Sequence, residues 1–250
     1  MHAYAMKVGI AAVLAAWSCS IAALPLAPAG AGGDDPQASS LEEAANMPCP
    51  PGLERFVPGV YYYCVGARDL ARHNDGRGRE MLELAAAWGS KPAQLTLGVG
   101  YFKGDAMPLN RPLGLAWLGL AAERRDPAYV AIFKSAWDKA GPEEQARAQA
   151  LWQSMRPKYG DEHAAHRAER RYRHERWELV RNEIYGARAC IAGINVGQVV
   201  RSEGVGGPDC IGSSSVTLAA KKIDVYADSL FDGWSGHVSV GQLEPVTPAK

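Results

Sequence analysis

Ala93 to Ala128 reads AQLTLGVGYFKGDAMPLNRPLGLAWLGLAAERRDPA, and these 36 residues decide the fold class. Two apolar runs, Ala93 to Lys103 and Pro112 to Arg124, flank the turn-rich stretch Gly104 to Arg111. Within each run small residues alternate with bulky ones at helical spacing. Ala93, Gly98, Ala121 and Ala122 let two helix axes approach, while Leu97, Tyr101 and Trp117 fill the layer between them. Gly104 follows the first run where a helix needs a left-handed residue to close.

The same texture continues on both sides. Ala67 to His73 and Arg79 to Trp88 predict a preceding helical pair, interrupted by Gly76 and Gly78. Tyr129 to Ala140 and Pro142 to Met155 predict a following one, with Pro142 at a first helical position and Glu143 and Glu144 in the first turn. Leu84-Ala85-Ala86 recurs as Leu120-Ala121-Ala122, and Pro92-Ala93 recurs as Pro127-Ala128. A self-similarity near 36 residues predicts helical hairpins stacked as a short solenoid.

Residues 93–128 resemble a Sel-one-like repeat, a relative of the tetratricopeptide repeat. The matching positions are Ala93, Leu97, Gly98, Tyr101, Gly104, Trp117, Ala121 and Ala122, in ungapped spacing. Departures are Ala106 for Gly, Met107 for Val, Asn110 for Asp, Gly114 for the Ala three before Trp117, and Arg125 for Gly. The resemblance implies a concave surface that binds a protein or peptide, with Tyr101 and Phe102 as aromatics for that face. It brings no catalytic apparatus and no cofactor.

The N-terminus carries an export pattern. Lys7 precedes the apolar Val8 to Trp17, and small residues follow at Ser18, Ser20, Ala22, Ala27 and Ala29. The apolar stretch is short of the ~20 residues of a spanning helix. Ala16-Trp17-Ser18-Cys19 leaves open a lipid anchor on Cys19, although Trp17 suits that motif poorly. The expected location is therefore periplasmic or secreted. Ala27 to Asn46 is a Pro/Gly-rich linker.

Beyond Cys19 four cysteines remain, an even number suited to an oxidising compartment. Cys49 with Cys64 and Cys190 with Cys210 are the expected pairs, because each closes a short loop rich in Pro or Gly. A loop of that size stabilises the fold by ~3 kcal/mol. Cys49 to Cys64 reads as a Pro-punctuated loop; of Tyr61 to Tyr63, one or two are expected to pack the first helix and the bridge, against the alternative that the run stacks on a ligand.

Asp161 to Arg188 reads as a long charged helix closing the array, with Glu169 and Arg173 as an i,i+4 pair. His163 and His166 could share a face with Glu162, Glu169 or His174, but a solvated helix explains them, and no metal site is assigned. From Cys190 the chain becomes Gly-rich. Short strands around Ile194 to Val200, Val216 to Leu218 and Val238 to Val240, with a helix over Lys221 to Trp234, predict a small α+β module. Ser213, Ser214, Ser215, Asp232 and His237 supply hydrolase residue types without a G-x-S-x-G elbow, and Gly204 to Gly207 lacks the Lys of a phosphate loop.

The organisation expected is a signal at 1–23, a linker at 24–48, a helical repeat domain at 49–155, a charged connecting helix at 156–189, an α+β module at 190–245 and a tail at 246–250. With 27 basic and 27 acidic residues in 250, no overall charge recruits nucleic acid or acidic lipid. The fold class is mainly α. The function expected is binding of an unidentified protein or peptide in the cell envelope, against the alternatives of an envelope hydrolase or a purely structural protein.

Overall fold

A computed structural model describes residues 45–181, 188–194 and 214–234. The expected signal, most of the linker, Cys19, Cys210, Ser213, His237, the strands expected beyond Ile194 and at 238–240, and the tail lie outside these residues. The described elements are α1 (Leu53–Phe56), α2 (Pro58–Ala71), α3 (Asp75–Ala87), α4 (Lys91–Lys103), α5 (Arg111–Ala121), α6 (Pro127–Trp137), α7 (Pro142–Tyr159), α8 (Asp161–Val180) and α9 (Val216–Phe231). A 3-10 turn covers Ala122–Arg124, and the two-residue strands β1 (Arg188–Ala189) and β2 (Ser214–Ser215) pair antiparallel.

Two helical hairpins, α2–α3 and α4–α5, are built on one device. At the α4–α5 crossing a methyl on Gly114 would meet the Phe102 amide nitrogen at 2.6 Å and the Gly98 carbonyl oxygen at 2.8 Å. A methyl on Gly98 would meet Leu118 Cγ at 2.7 Å. The first hairpin repeats this with Gly66, whose methyl would meet Leu82 Cγ at 2.9 Å and the Gly78 oxygen at 3.0 Å. Gly78 therefore belongs inside α3 and does not interrupt it: the helix starts at Asp75 and accepts the helix-weakening residue because backbone packs against it. Likewise Gly114 is the residue that this close crossing admits.

Ala93, Leu97 and Ala121 have no exposed surface, and Gly98 is buried between α4 and α5. Trp117 is buried against Tyr159, with ring centroids 4.6 Å apart. Gly104 closes α4 with φ 75° and ψ 29°. Asn110 caps α5 by accepting from the Leu113 amide at 3.2 Å, as an Asp there would. Ala122 falls outside the α-helix, in the 3-10 turn.

The expected loop from Cys49 to Cys64 is mostly helix. Pro58, at the start of α2, suits a first helical turn, and α2 carries Tyr61, Tyr62, Tyr63 and Cys64. The Cys49–Cys64 bridge, Cα–Cα 5.7 Å, ties the preceding segment to this helix. Cys190 is also disulfide-bonded, and the expected partner Cys210 lies outside the described residues.

The third pair departs from the hairpin pattern. α7 lies along α5, with Trp152, Met155 and Tyr159 against the core of Leu82, Leu97, Trp117 and Leu120. α6 lies mainly against α5 and makes little contact with α7. At the other end, α8 and α9 share a core with α1: Leu53, Phe56 and Val57 meet Ala165, Ala168, Ile223, Leu230 and Phe231. Of the α+β module expected at 190–245, the described residues give α9, the two-residue pairing and the turn at 191–194.

Candidate functional site: an apolar cleft beside a buried ion seam

The splay between α6 and α7 leaves a cleft of about 260 Å³ above α5. Leu115, Ala116 and Gly119 of α5 form its floor. Phe133 and Trp137 of α6 form one wall, with ring centroids 5.6 Å apart. Ala148, Gln149 and Trp152 of α7 form the other. A methyl on Gly119 would lie 3.2 Å from Trp152 Cδ1 and 3.7 Å from Phe133 Cε2, so glycine keeps the floor open.

Local chemistry holds the two walls apart. Gln145 Nε2 donates to the carbonyls of Trp137 at 3.0 Å and Ala140 at 3.2 Å, fixing the turn between α6 and α7. Glu144 accepts from the Gly141 amide at 3.0 Å, closing the first turn of α7. Arg111 lies over the Phe102 ring at 4.8 Å and donates to the Lys139 carbonyl, pinning the far end of α6. Arg156 covers Trp152 at 4.9 Å. The cleft can desolvate an apolar side chain of up to aromatic size, with Gln149 as a polar contact at its edge.

A second feature is polar. Lys91, whose side chain is 5% exposed, donates to Glu123 at 2.9 Å and the Leu120 carbonyl at 2.8 Å, and lies 3.3 Å from Asp161. Arg124 makes two bonds of 2.9 Å to Asp161 and donates to the carbonyls of Leu230, Asp232 and Gly89. Gln94, fully buried, donates to the Tyr159 carbonyl at 2.8 Å. Two cations face two carboxylates, so the seam is neutral, and its chemistry joins helices.

The α8–α9 contact has its own network. Asp224 accepts from Tyr172 at 2.6 Å and from Arg176 at 2.6 and 2.8 Å. Burial works to raise the Asp224 carboxyl, but the hydrogen bonds from Arg176 and Tyr172 prevail and hold it below the usual range. Burial, then the bond to Asp224, pushes the Tyr172 hydroxyl well above the tyrosine range. The hydrogen bond to Glu54, 2.6 Å, pushes Tyr62 up to about 12.

The residues singled out by sequence fall in different places. Tyr101 is in the core rather than on a binding face, and Phe102 is covered by Arg111. The tyrosine run packs inward: Tyr61 on the α1–α8–α9 core, Tyr62 and Tyr63 on the hairpin core. His166 stands edge-on to Trp234 at 4.9 Å. Among the described residues no group of three or more His, Cys, Asp or Glu is arranged to hold a metal. Ser215 accepts from the Leu218 amide as the cap of α9. No helix among the described residues is long and apolar enough to cross a membrane.

Sequence reasoning missed the cleft residues Gly119, Phe133, Trp137 and Trp152, and the seam residues Lys91, Glu123, Arg124 and Asp161. The first set had a signal, since Pro127–Trp137 holds one charge, Lys134, and should be buried if paired. The second had none, because its members are distant in sequence. Comparison of the chain with protein-family models, curated proteins and solved structures gives no match.

Proposed function

We propose that this chain is a protein- or peptide-binding scaffold of Sel-one-like type, exported to the bacterial envelope and acting in the periplasm or outside the cell. In this reading the hairpins form a short solenoid, and residues 190–245 add a small α+β module that braces its end. The observation that carries the proposal is the cleft over α5. Large apolar and aromatic side chains line an open groove where a continued hairpin pattern would have closed it. Grooves of this kind take one or two apolar anchors of a peptide or helix. The Cys49–Cys64 bridge suits the oxidising compartment the N-terminus implies.

A photo-crosslinking residue in place of Gln149, at the cleft edge, tests this in cells that make the protein. One discrete adduct is expected, with none from Arg147, which is 70% exposed on the same helix. No adduct, or the same adducts from both positions, overturns the reading.

A further inference from the structure

The outer face of α6 is independent of the cleft. Ala128, Ala131, Ile132 and Ser135 follow i, i+3, i+4, i+7 spacing, and all four are exposed. Ile132 is 37% exposed, and Ala136, on the inner side, is the only buried residue of the helix. Such a stripe would be the seam of a helix pair, yet no described element covers it.

The charges at its two ends indicate the occupant. Arg125 precedes α6 and Asp138 follows it. Both are exposed, and neither makes an ion pair among the described residues. Consider a second α6 laid antiparallel about a two-fold axis midway between Ala131 and Ile132. Ala128 then lies against Ser135, Ala131 against Ile132, and Arg125 against Asp138. At ~1.5 Å per residue, Asp138 is about 10 Å along the axis from that midpoint, and Arg125, two residues before the first helical residue Pro127, stands at the opposite end. One symmetric arrangement therefore closes the small-and-bulky seam and forms two ion pairs. Lys134 meets Tyr129, and the opposite member for Lys139 is Arg124, whose charge Asp161 already answers.

We infer that α6 is a self-association surface, through which two copies of this chain pair antiparallel across Ala128, Ala131, Ile132 and Ser135. A pair of three-turn helices buries less than the ~1,200–2,000 Å² of a standard interface, so the dimer is concentration-dependent.

Sedimentation equilibrium of the purified, disulfide-intact protein tests the inference. A monomer–dimer equilibrium is expected, lost in Ile132→Glu. Arg125→Asp and Asp138→Arg are each expected to weaken it about tenfold, and the combined variant to restore it, because the swapped charges attract again. All three substituted positions are exposed, and unchanged melting confirms that each variant folds. A monomer at every concentration overturns the inference. So does a dimer indifferent to Ile132→Glu, or a double swap that fails to compensate. Hydroxyl-radical footprinting of the dilute protein supplies a further check. Protection of Ile132 in the monomer would mean that the chain's own remaining residues cover this face, and the dimer would be wrong.

Discussion

Gly114→Ala in α5 and Gly76→Ala in α3 make the same chemical change inside a helix, and the structure gives them opposite signs. Alanine is a better helix former than glycine by ~1 kcal/mol, so both variants gain on propensity. At Gly76 nothing lies within 4 Å of the added carbon, and the gain remains, reduced to about 0.5 kcal/mol by its place in the first turn. At Gly114 the added carbon meets the Phe102 nitrogen at 2.6 Å, the Gly98 oxygen at 2.8 Å and Phe102 Cβ at 2.8 Å. Two of these are backbone atoms of α4, which cannot rotate away. The axes must separate by more than half an ångström, loosening Leu97, Trp117 and Leu118 together. Overpacking costs ~1–3 kcal/mol when side chains can yield, and backbone contacts belong at the upper end. The net effect at Gly114 is a loss of about 2 kcal/mol, a fall in melting temperature of roughly 4–8 °C for a domain of this size. Urea unfolding followed by helical circular dichroism separates the two. If Gly114→Ala stabilises as much as Gly76→Ala, the close crossing does not exist and the packing argument fails with it.

Removing one member of the ion seam should cost more than any surface pair. Lys91→Met strands Glu123 beside an apolar chain and leaves Asp161 to Arg124 alone, an expected loss of ~3–5 kcal/mol in the same urea assay, against less than ~0.5 for Arg147→Met. Asp224 is held below its unfolded value near ~3.9, so its contribution is present above that pH and lost as pH falls through the folded value. Asp224→Asn should therefore flatten the acid loss of stability that sets in below about pH 4. Tyr172 is raised, so its contribution is complete below ~10 and disappears as pH climbs beyond it; Tyr172→Phe removes that alkaline loss. Reduction of Cys49–Cys64, or Cys64→Ala, should lower stability by ~3 kcal/mol, read as a shift in urea midpoint.

Periodicity revealed the hairpins because their pattern is local. Ala93, Leu97, Trp117 and Ala121 stand at spacings that only a pair of packed helices uses, and the residues between them set the turn. The start of α2 was harder, since Pro58 reads equally as loop punctuation and as a first helical residue. Gly78 misled for a related reason: glycine weakens a helix by propensity, and only the opposing Gly66 and Leu70 show why it is there. The cleft was hidden because it depends on where α6 fails to pair, and a sequence records a helix's character without naming its neighbour. The seam was hidden further still. Lys91, Glu123 and Asp161 look like surface charges until α4, the 3-10 turn and α8 converge on them.

Because Leu53, Phe56 and Val57 share a core with Ile223, Leu230 and Phe231, and Arg124 reaches the carbonyls of Leu230 and Asp232, the beginning and end of the described chain complete each other. A ribosome must release the chain through α9 before α1 finds its cover. Hairpin contacts close early and near in sequence, whereas this junction spans roughly 170 residues and waits for α9. A nascent chain stopped short of α9 would carry its front end bare and its central arginine half answered.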